Sequence, residues 1–329
     1  MIRIKVIGAI GNKFCHAKAL AFGGRYEFTF DPNASQYDWL VVYSDIPRRG
    51  DGTYAAGYEP LACPRAHTIL TTNEPVSIKY YGRVNCLQYG YMLTNRPFEP
   101  ERHPGYVFGR GYYSWQTGRT WQEEQAFAVP PKTRTISVIC SAKMPRQANF
   151  RARRRLVEDL VRRMPELEWY GWGVRRLDHQ YEAMDEYRYT VAVENHIAPG
   201  HWTEKIADAI LSECLAFYAG DPDLGKILPP DSFVPIPVDD PEAAYRIIRK
   251  AIDGKEYEKR LPAIREAKRL LLTKYNFCHQ VIALIESGKP SAHESPDVGP
   301  QRIYERHVLR RRDMRALLSD VWHHIRIGK

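Results

Sequence analysis

The sequence lacks several features that would assign it to a familiar class. No run of about 18 apolar residues occurs, so no segment is predicted to span a membrane. The apolar part of the N-terminus is too short for a secretory signal and is predicted to be a first strand. That strand leads to Gly8 and Gly11, which lack the G-x-G-x-x-G spacing of dinucleotide-binding loops. No internal repeat or low-complexity tract is present, which argues against a repeat protein or a disordered chain.

Cysteine is scarce and unpaired along the chain. The six cysteines, at positions 15, 63, 86, 140, 214 and 278, form no C-x-x-C pair. Several of them, such as Cys140 and Cys214, lie in apolar runs. This pattern argues against a cysteine metal site and predicts reduced, buried thiols in a cytoplasmic protein.

Positive charge is in excess and is concentrated at the C-terminus. The formal net charge of the 329 residues is +9, which predicts an anionic partner. Residues 301–329 carry eight Lys and Arg against three acidic residues, an excess of five. The charge is therefore mainly a property of the tail, and no nucleic-acid partner is expected.

The tail also has helical periodicity. Six apolar residues recur at i, i+3, i+4, i+7, i+8 and i+11, which places them on one helical face: Met314, Leu317, Leu318, Val321, Trp322 and Ile325. Most of the arginines lie elsewhere on that helix. The pattern predicts a basic amphipathic helix that either lies on an anionic membrane surface or folds back onto a domain.

The length and the order of predicted elements suggest two domains and a tail. A polar segment at 122–134 contains Pro130 and Pro131 and is predicted to be the linker. The predicted division is therefore 1–130, 131–290 and 291–329. Strands are predicted in the first domain at 2–10, 37–44, 67–72, 86–93 and 106–113.

The second domain alternates strands with helices. Strands are predicted at 135–140, 167–173, 187–193 and 214–219, with helices beginning near residue 154 and at Glu204, and mostly helix over 241–287. This order predicts an α/β fold with a parallel sheet and crossover helices.

Polar residues follow the predicted strand 187–193 at the sheet edge where ligands bind in open parallel sheets. Glu194 and Asn195 come directly after it, and Thr203 is a candidate N-cap for the next helix. Lys205 then stands in the first turn, where the helix dipole disfavours a cation. A bound phosphate would make the electrostatic contribution of Lys205 at this position favourable. The alternative is a solvated surface lysine whose charge Glu204 offsets.

Four arginines lie at the start of the helix that follows the strand 135–140, at positions 151, 153, 154 and 155. Arginine suits bidentate contact with phosphate oxygens. Two cationic helix N-termini at one sheet edge predict a diphosphate-binding clamp. A solvated basic face is the alternative for some of these arginines.

The segments YRYTVAVENHIAPGHWTEKIADAI, from residue 187, and LPPDSFVPI, at 228–236, resemble the family 10 glycosyltransferases, the α-1,3/4-fucosyltransferases. That family shows a Glu-Asn pair, then Thr-Glu-Lys, then a Pro-Pro-x-Ser-Phe element in order. The likeness covers about residues 135–250, is thin before 130 and is absent from the tail. It implies a GT-B fold of two Rossmann-like domains facing a cleft, with a GDP-sugar held by the C-terminal domain.

The resemblance also implies roles for particular residues. It places in the donor site Arg153, with Arg151 as the competing position, and Glu194, Asn195, Thr203, Glu204 and Lys205. His201 stands where the family has a tyrosine and is a candidate donor-binding residue that could hydrogen-bond a phosphate or a sugar hydroxyl; the alternative is a simple replacement of shape. Val193 stands where the family has a phenylalanine. These departures leave open whether the donor sugar is fucose or a related hexose.

The resemblance implies inversion at the transferred sugar, which requires a carboxylate base on the acceptor side. Glu74 follows the predicted strand 67–72, in a TTNEP segment similar to a short acidic element of the family. Glu74 is therefore the candidate base. The alternative is a turn-capping carboxylate before Pro75.

No metal cofactor is expected. Asp221-Pro222-Asp223 has the spacing of a metal-binding D-x-D motif, but it falls in a segment that varies in the family. A clamp of helix N-termini and cations would neutralise a diphosphate without a metal.

Two functions of different classes follow. The first is an inverting, metal-independent glycosyltransferase that moves fucose or a related hexose from a GDP-sugar to a glycan hydroxyl, at the inner face of the cytoplasmic membrane or in the cytoplasm. The second is an inactive protein of the transferase fold that binds an anionic polymer or membrane through its basic tail.

Overall fold

The computed structural model describes residues 1–8, 19–47, 56–72, 74, 79–96, 103–109, 115–142, 148–293, 301–318 and 321. The chain divides into two compact units, Met1–Tyr113 together with Asn276–Lys329, and Ser114–Tyr275. This division differs from the predicted boundaries at 130 and 290. The segment after Ser114 packs within the second unit, and the chain from Asn276 onward belongs to the first.

The first unit contains a seven-stranded sheet. Numbered along the chain, its strands are β1 (Ile2–Gly8), β2 (Ala19–Phe22), β3 (Tyr26–Thr29), β4 (Trp39–Tyr43), β6 (Thr68–Thr72), β7 (Tyr91–Thr94) and β8 (Tyr106–Phe108). Their order is β2-β3-β1-β4-β6-β7-β8. Only the β2–β3 pairing is antiparallel. A separate antiparallel pair joins β5 (Tyr58–Pro60) to β14 (Arg302–Tyr304).

Continuous apolar runs form the central strands of this sheet because both of its faces are covered. Every residue of β4 is buried, and β4 pairs in register with β6. The strands pack against Tyr81, Tyr89 and Ile303 in one apolar cluster. The described helices of this unit include α1 (Arg83–Cys86), α7 (Phe277–Glu286) and α8 (Arg306–Arg312).

The second unit contains a fully parallel five-stranded sheet. Its strands are β9 (Arg134–Ile139), β10 (Leu167–Tyr170), β11 (Tyr187–Val193), β12 (Leu215–Ala219) and β13 (Phe233–Pro235). The order is β10-β9-β11-β12-β13. The chain runs from β9 to β10 on one side and then continues from β11 on the other side of β9. The strand order therefore reverses between β9 and β11, at a topological switch point.

Helices cover this sheet: α2 (Trp121–Ala126), α3 (Ala148–Arg163), α4 (Glu204–Leu211), α5 (Pro241–Asp253) and α6 (Glu256–Thr273). Alternate residues of β12 enter different apolar clusters. Ala216 and Tyr218 join the cluster that contains α4, whereas Leu215 and Phe217 join the cluster that contains α3 and α5. The predicted α/β alternation is therefore present, with helices on both faces.

Two predicted segments outside the tail differ in the structure. The predicted linker at 122–134 includes α2, which begins with a capping box between Thr120 and Glu123. Trp121 Nε1 donates to the Leu272 carbonyl over 2.8 Å, so this segment packs on α6. The predicted strand 86–93 is the end of α1, a turn and β7, because a short buried apolar run does not distinguish strand from helix.

The tail is partly integral to the first unit. β14 pairs with β5, and Ile303 is fully buried. α8 ends at Arg312, and Asp313 has extended backbone angles. The described residues 314–318 and 321, within the predicted amphipathic helix, are helical again. The residues of the predicted apolar face that the structure describes are exposed: Met314, Leu317, Leu318 and Val321. The predicted positions Trp322 and Ile325 lie outside the described residues. Within the described residues, no helix is long and apolar enough to cross a membrane.

Ile303 allows the packing of the tail to be tested. We expect Ile303→Ala to lower the free energy of unfolding by about 2–5 kcal/mol, because it leaves a cavity at a fully buried site. Leu318→Ala, at a side chain with 59% of its surface exposed, is the control and should change it by less than about 0.5 kcal/mol. Urea unfolding measures both variants. Equal effects would show that β14 does not contribute to the stability of the unit.

Candidate functional site

The candidate site of the second unit lies at its topological switch point. β9 and β11 are adjacent parallel strands, with Val138 opposite Val191, so their carboxyl ends meet at one edge. α3 follows β9 and α4 follows β11. In open α/β sheets this crevice is the usual place for ligands.

Arg153 joins the two sides of this crevice. Its Nη1 donates to Asn195 Oδ1 over 2.7 Å, and its Nη2 donates to the Ile139 carbonyl over 2.8 Å. Leu156 and Leu160 are fully buried in the core below and hold α3 in place. The arginine therefore links the residue at the end of β9 to the polar pair that follows β11.

Glu194 caps α4 from the end of the neighbouring strand. Its carboxylate is buried and accepts hydrogen bonds from the Thr203 N–H at 2.8 Å and the Thr203 hydroxyl at 2.7 Å. Thr203 is thus the N-cap residue by position, but its own side chain does not cap the helix. Burial raises the pKa of Glu194 despite these hydrogen bonds and the nearby Lys205.

Lys205 is held between carboxylates. Its Nζ lies 2.7 Å from Glu204 Oε1, 3.0 Å from Thr203 Oγ1 and 3.5 Å from Glu194 Oε2. Only 17% of its side-chain surface is exposed, which contradicts the alternative of a solvated surface lysine. Burial lowers its pKa, but Glu194 and Glu204 outweigh this effect and the pKa is raised. The two carboxylates thereby offset the unfavourable helix dipole.

Glu204 is the more accessible carboxylate of this cluster. Its side chain keeps 22% of its surface exposed, whereas that of Glu194 keeps none. Burial raises the pKa of Glu204, but the Lys205 ammonium more than compensates and the pKa is lowered. The Glu204–Lys205 pair is therefore ionised and is partly open to solvent.

His201 is buried near this cluster, and its ring contacts His196 edge to face at 5.1 Å. Burial lowers the pKa of His196. Seven of the predicted site residues therefore belong to one unit. Six of them form two sets of polar contacts: Arg153 with Asn195, and Glu194 with Thr203, Glu204 and Lys205.

Two residues near the end of β12, Tyr218 and Gly220, also contact this cluster and were not predicted. The Tyr218 hydroxyl lies 3.5 Å from Glu194 Oε1 and accepts the Asp221 N–H at 3.0 Å. A Cβ at Gly220 would lie 2.0 Å from that hydroxyl and 2.6 Å from Glu194 Cγ. A glycine directly after an apolar strand was the available signal, because it allows close approach of neighbouring groups.

The Asp221-Pro222-Asp223 segment forms a turn after β12. The Asp223 N–H donates to Asp221 Oδ1 at 2.9 Å, and the Asp223 carboxylate pairs with Lys226 at 2.7 Å. Among the residues that the structure describes, no cluster of three or more His, Cys, Asp or Glu is arranged to hold a metal ion. Five of the cysteines are buried free thiols, as predicted, and Cys15 lies outside the described residues.

Glu74 belongs to the first unit. It is half-buried and lies two residues after β6, at the carboxyl edge of that sheet. The neighbouring strand β4 is followed by Ser44, a non-glycine residue in the left-handed region at φ 68°. Ser44 Oγ accepts from Lys79 Nζ at 2.8 Å and lies 3.2 Å from the Tyr81 hydroxyl. Backbone conformations of this kind recur at functional sites.

Asp208, one turn after Glu204, is a further buried acid that the sequence did not reveal. It is fully buried, and its Oδ1 accepts the Gln116 N–H at 2.7 Å, whereas Oδ2 has no hydrogen-bond partner. Burial raises its pKa well above the ordinary value. The folded chain therefore holds this proton at a pH where the unfolded chain releases it.

This shift gives Asp208→Asn a defined pH dependence. Because the folded pKa lies above the unfolded value of about 3.9, wild type loses stability as pH rises through that value. We expect the variant to lose less stability than wild type between pH 4 and pH 8, because the amide has no proton to release in either state. Urea unfolding across pH measures it, with exposed Asp178→Asn as the control. Parallel curves for wild type and Asp208→Asn would contradict a protonated Asp208.

Comparison with known proteins shows the fold. No family model and no curated protein sequence matches the chain. A crystal structure of an α1,3-fucosyltransferase with GDP-fucose aligns with a TM-score of 0.51 at 15% identity, covering 90% of this chain and 91% of that one. A structure of α1,3-fucosyltransferase with GDP aligns at 0.52 and 15% identity, covering 90% and 93%. The predicted GT-B fold class is therefore confirmed, with a Rossmann-like sheet in each unit.

Proposed function

We propose that the chain is an inverting glycosyltransferase that takes its sugar from a GDP-sugar. The observation that carries the proposal is the Arg153–Asn195 and Glu194–Lys205–Glu204 arrangement at the switch point of the second sheet. It supports a site for a polar, anionic ligand in a crevice where such ligands usually bind. The likeness of fold to an α1,3-fucosyltransferase bound to GDP-fucose supports the choice of donor.

In this proposal Lys205 and Arg153 bind the diphosphate. Lys205 has three donors, and they now face Thr203, Glu204 and Glu194. A phosphate oxygen would replace the Glu204 carboxylate, the more exposed of the two acidic partners. Lys205 would exchange one anionic partner for another and would stay charged. The Glu194–Thr203 cap would stay in place and hold the helix N-terminus toward the phosphate.

The exchange gives Glu204 a role of its own. Once separated from Lys205, its carboxylate can accept hydrogen bonds from two hydroxyl groups of the donor, as an acceptor-only group does. Asn195 and His201 are the further proposed contacts to the donor. The sugar is proposed to be fucose or a related hexose, because His201 and Val193 differ from the family pattern.

Glu74 is proposed as the general base. The base takes the proton of the acceptor hydroxyl while that oxygen bonds to the anomeric carbon, and the bond from this carbon to the diphosphate oxygen breaks with departure of GDP. Attack opposite to the leaving group inverts the anomeric centre. The acceptor is proposed to be a glycan.

Transfer is proposed to need no metal ion. The cations Lys205 and Arg153 and the N-terminus of α4 are available to stabilise the departing diphosphate. We therefore expect turnover in excess EDTA to equal turnover without it. A loss of activity that Mn²⁺ or Mg²⁺ restores would contradict this, and Asp221→Asn would then locate the ion.

A second candidate function is binding to an anionic membrane surface by an inactive chain. The exposed Met314, Leu317 and Leu318 beside Arg310, Arg311 and Arg312 favour it. Binding to anionic vesicles should then weaken with rising salt and with deletion of residues 314–329. Membrane association is also compatible with the transferase, so GDP binding is what separates the two functions.

A donor screen tests the proposed activity. GDP-fucose, GDP-mannose and UDP-glucose are incubated with the protein and a glycan mixture, and release of free GDP or UDP is measured. We expect release from a GDP-sugar, faster with glycan present, and none from UDP-glucose. Release from UDP-glucose alone would overturn the assignment of the donor nucleotide.

A further inference from the structure

α3 carries six arginines, and their partners divide them into two sets. Four have polar or acidic partners: Arg153 with Asn195, Arg154 with Glu158, Arg162 with Asp159, and Arg163 with Asp159 and Glu242. Arg151 and Arg155 form no ion pair or side-chain hydrogen bond with any residue that the structure describes.

These same two arginines line a cavity of about 300 Å³. Its described lining is Arg151, Ala152 and Arg155 from α3, with Val238 and Asp239 from the turn between β13 and α5. This volume is at the lower end of the range for small-molecule pockets. Two cations without partners, one acidic residue and an apolar wall thus meet at one concave surface.

The cavity is distinct from the proposed donor site. Successive helical residues are about 100° apart, so Arg151 and Arg155 lie within about 40° of each other on α3 and about 160° from Arg153. Arg153 is directed to Asn195 at the switch point. The two unpaired arginines therefore face away from the donor crevice.

We propose that this cavity binds a sugar phosphate or a similar polyol phosphate. Two guanidinium groups offer bidentate donors to the oxygens of one phosphate. Asp239 offers an acceptor for hydroxyl groups on the same ligand, and Val238 offers an apolar contact. A ligand that carries only a phosphate would leave most of the volume empty. The proposal does not depend on the proposed transferase activity.

The charged residues that line the cavity also limit how many anionic groups its ligand can carry. Asp239 would repel a second anionic group, so a ligand with a single phosphate and neutral hydroxyls fits better than a diphosphate. Both arginines are exposed, so solvent screens them and each contact alone is weak. Binding therefore depends on both guanidinium groups acting on the same phosphate.

The test uses glucose 6-phosphate as the probe, titrated into the full chain and followed by NMR. It is carried out in a Glu204→Gln/Lys205→Met background, which removes the Glu204 and Lys205 charges from the proposed donor site. We expect saturable binding tighter than about 1 mM. Adding Arg151→Gln and Arg155→Gln should weaken it at least about tenfold, whereas adding Arg162→Gln, on the same helix, should not change it.

Three further arms identify the chemistry that is recognised. Glucose should not bind, and inorganic phosphate should bind more weakly than glucose 6-phosphate, because it lacks the hydroxyls. Glucuronate binding as tightly as glucose 6-phosphate would overturn the preference for phosphate. No saturable binding of glucose 6-phosphate, or binding that survives loss of both arginines, would overturn the site. GDP binding to wild type is unaffected by either result, so failure here is distinguishable from failure of the transferase proposal.

Discussion

Replacing Lys205 with methionine should weaken GDP binding by at least about 100-fold, which is about 2.7 kcal/mol. The reason is that the ammonium is placed at the N-terminus of α4, where the proposed diphosphate would bind, and a buried charge-assisted contact of this type contributes several kcal/mol. Isothermal titration calorimetry with GDP measures the effect. The matched control is Lys226→Met, at an exposed lysine paired with Asp223 in the same unit.

Lys205 also stabilises the fold, and this effect must be separated from binding. Removing it leaves the fully buried Glu194 without its cation, which typically costs about 3–5 kcal/mol of stability. The double variant Glu204→Gln/Lys205→Met removes one acidic and one basic group, so the net charge of the cluster is the same as in wild type. It should unfold at a temperature nearer that of wild type than the Lys205→Met variant does. It should still bind GDP at least about 100-fold more weakly. A double variant that is folded and binds GDP like wild type would show that Lys205 is purely structural.

Glu74→Gln should reduce turnover by about 10²–10⁴-fold, the usual contribution of a positioned general base. This corresponds to about 3–5 kcal/mol of activation free energy. The substitution keeps the shape of the side chain and removes its basicity. GDP affinity and the free energy of unfolding should stay near wild type. Steady-state turnover with the donor found in the screen measures the effect, beside Glu27→Gln on β3 as the control.

Turnover of Glu74→Gln within about threefold of wild type would remove Glu74 as the base, because general-base losses are far larger. Glu59, another carboxylate of the same unit, would not be its replacement. The structure buries Glu59, pairs it with Lys5 at 2.7 Å and surrounds it with core residues. Glu99 lies outside the described residues.

The sequence predicted the second unit well because its strands are strongly patterned. The predicted strand 187–193 coincides with β11, and the predicted helix start at Glu204 coincides with α4. A polar pair after a buried parallel strand must lie at the carboxyl edge of the sheet. The neighbourhood of Glu194, Asn195 and Lys205 therefore follows from local order alone.

The hydrogen-bond partners within the site could not be predicted from the order of neighbouring residues in the sequence. Glu194, and not the Thr203 side chain, caps α4, because a carboxylate nine residues earlier is brought there by the β11–α4 loop. Asp208 is on the buried side of α4, where helical periodicity favours an apolar residue. Its contact with Gln116 depends on the path of a segment almost a hundred residues earlier.

The start of α2 could have been predicted, because the sequence contains a signal for it. Thr120 and Glu123 have the spacing of a capping box, which marks the start of α2 within the predicted linker. The pairing of β14 with β5 could not have been predicted in the same way. Three residues near the C-terminus carry little strand signal, and their partner strand is far away in sequence. Such long-range pairing is specified by the packed unit around it.

The most direct measurement of the central claim is calorimetric titration of the full chain with GDP and, separately, with UDP, in buffer containing EDTA. The proposed donor site predicts saturable binding of one GDP per chain, with UDP weaker by at least about tenfold, and loss of GDP binding in the Glu204→Gln/Lys205→Met variant. A folded wild-type chain that binds neither nucleotide, or that binds GDP equally well after loss of Lys205, would contradict it.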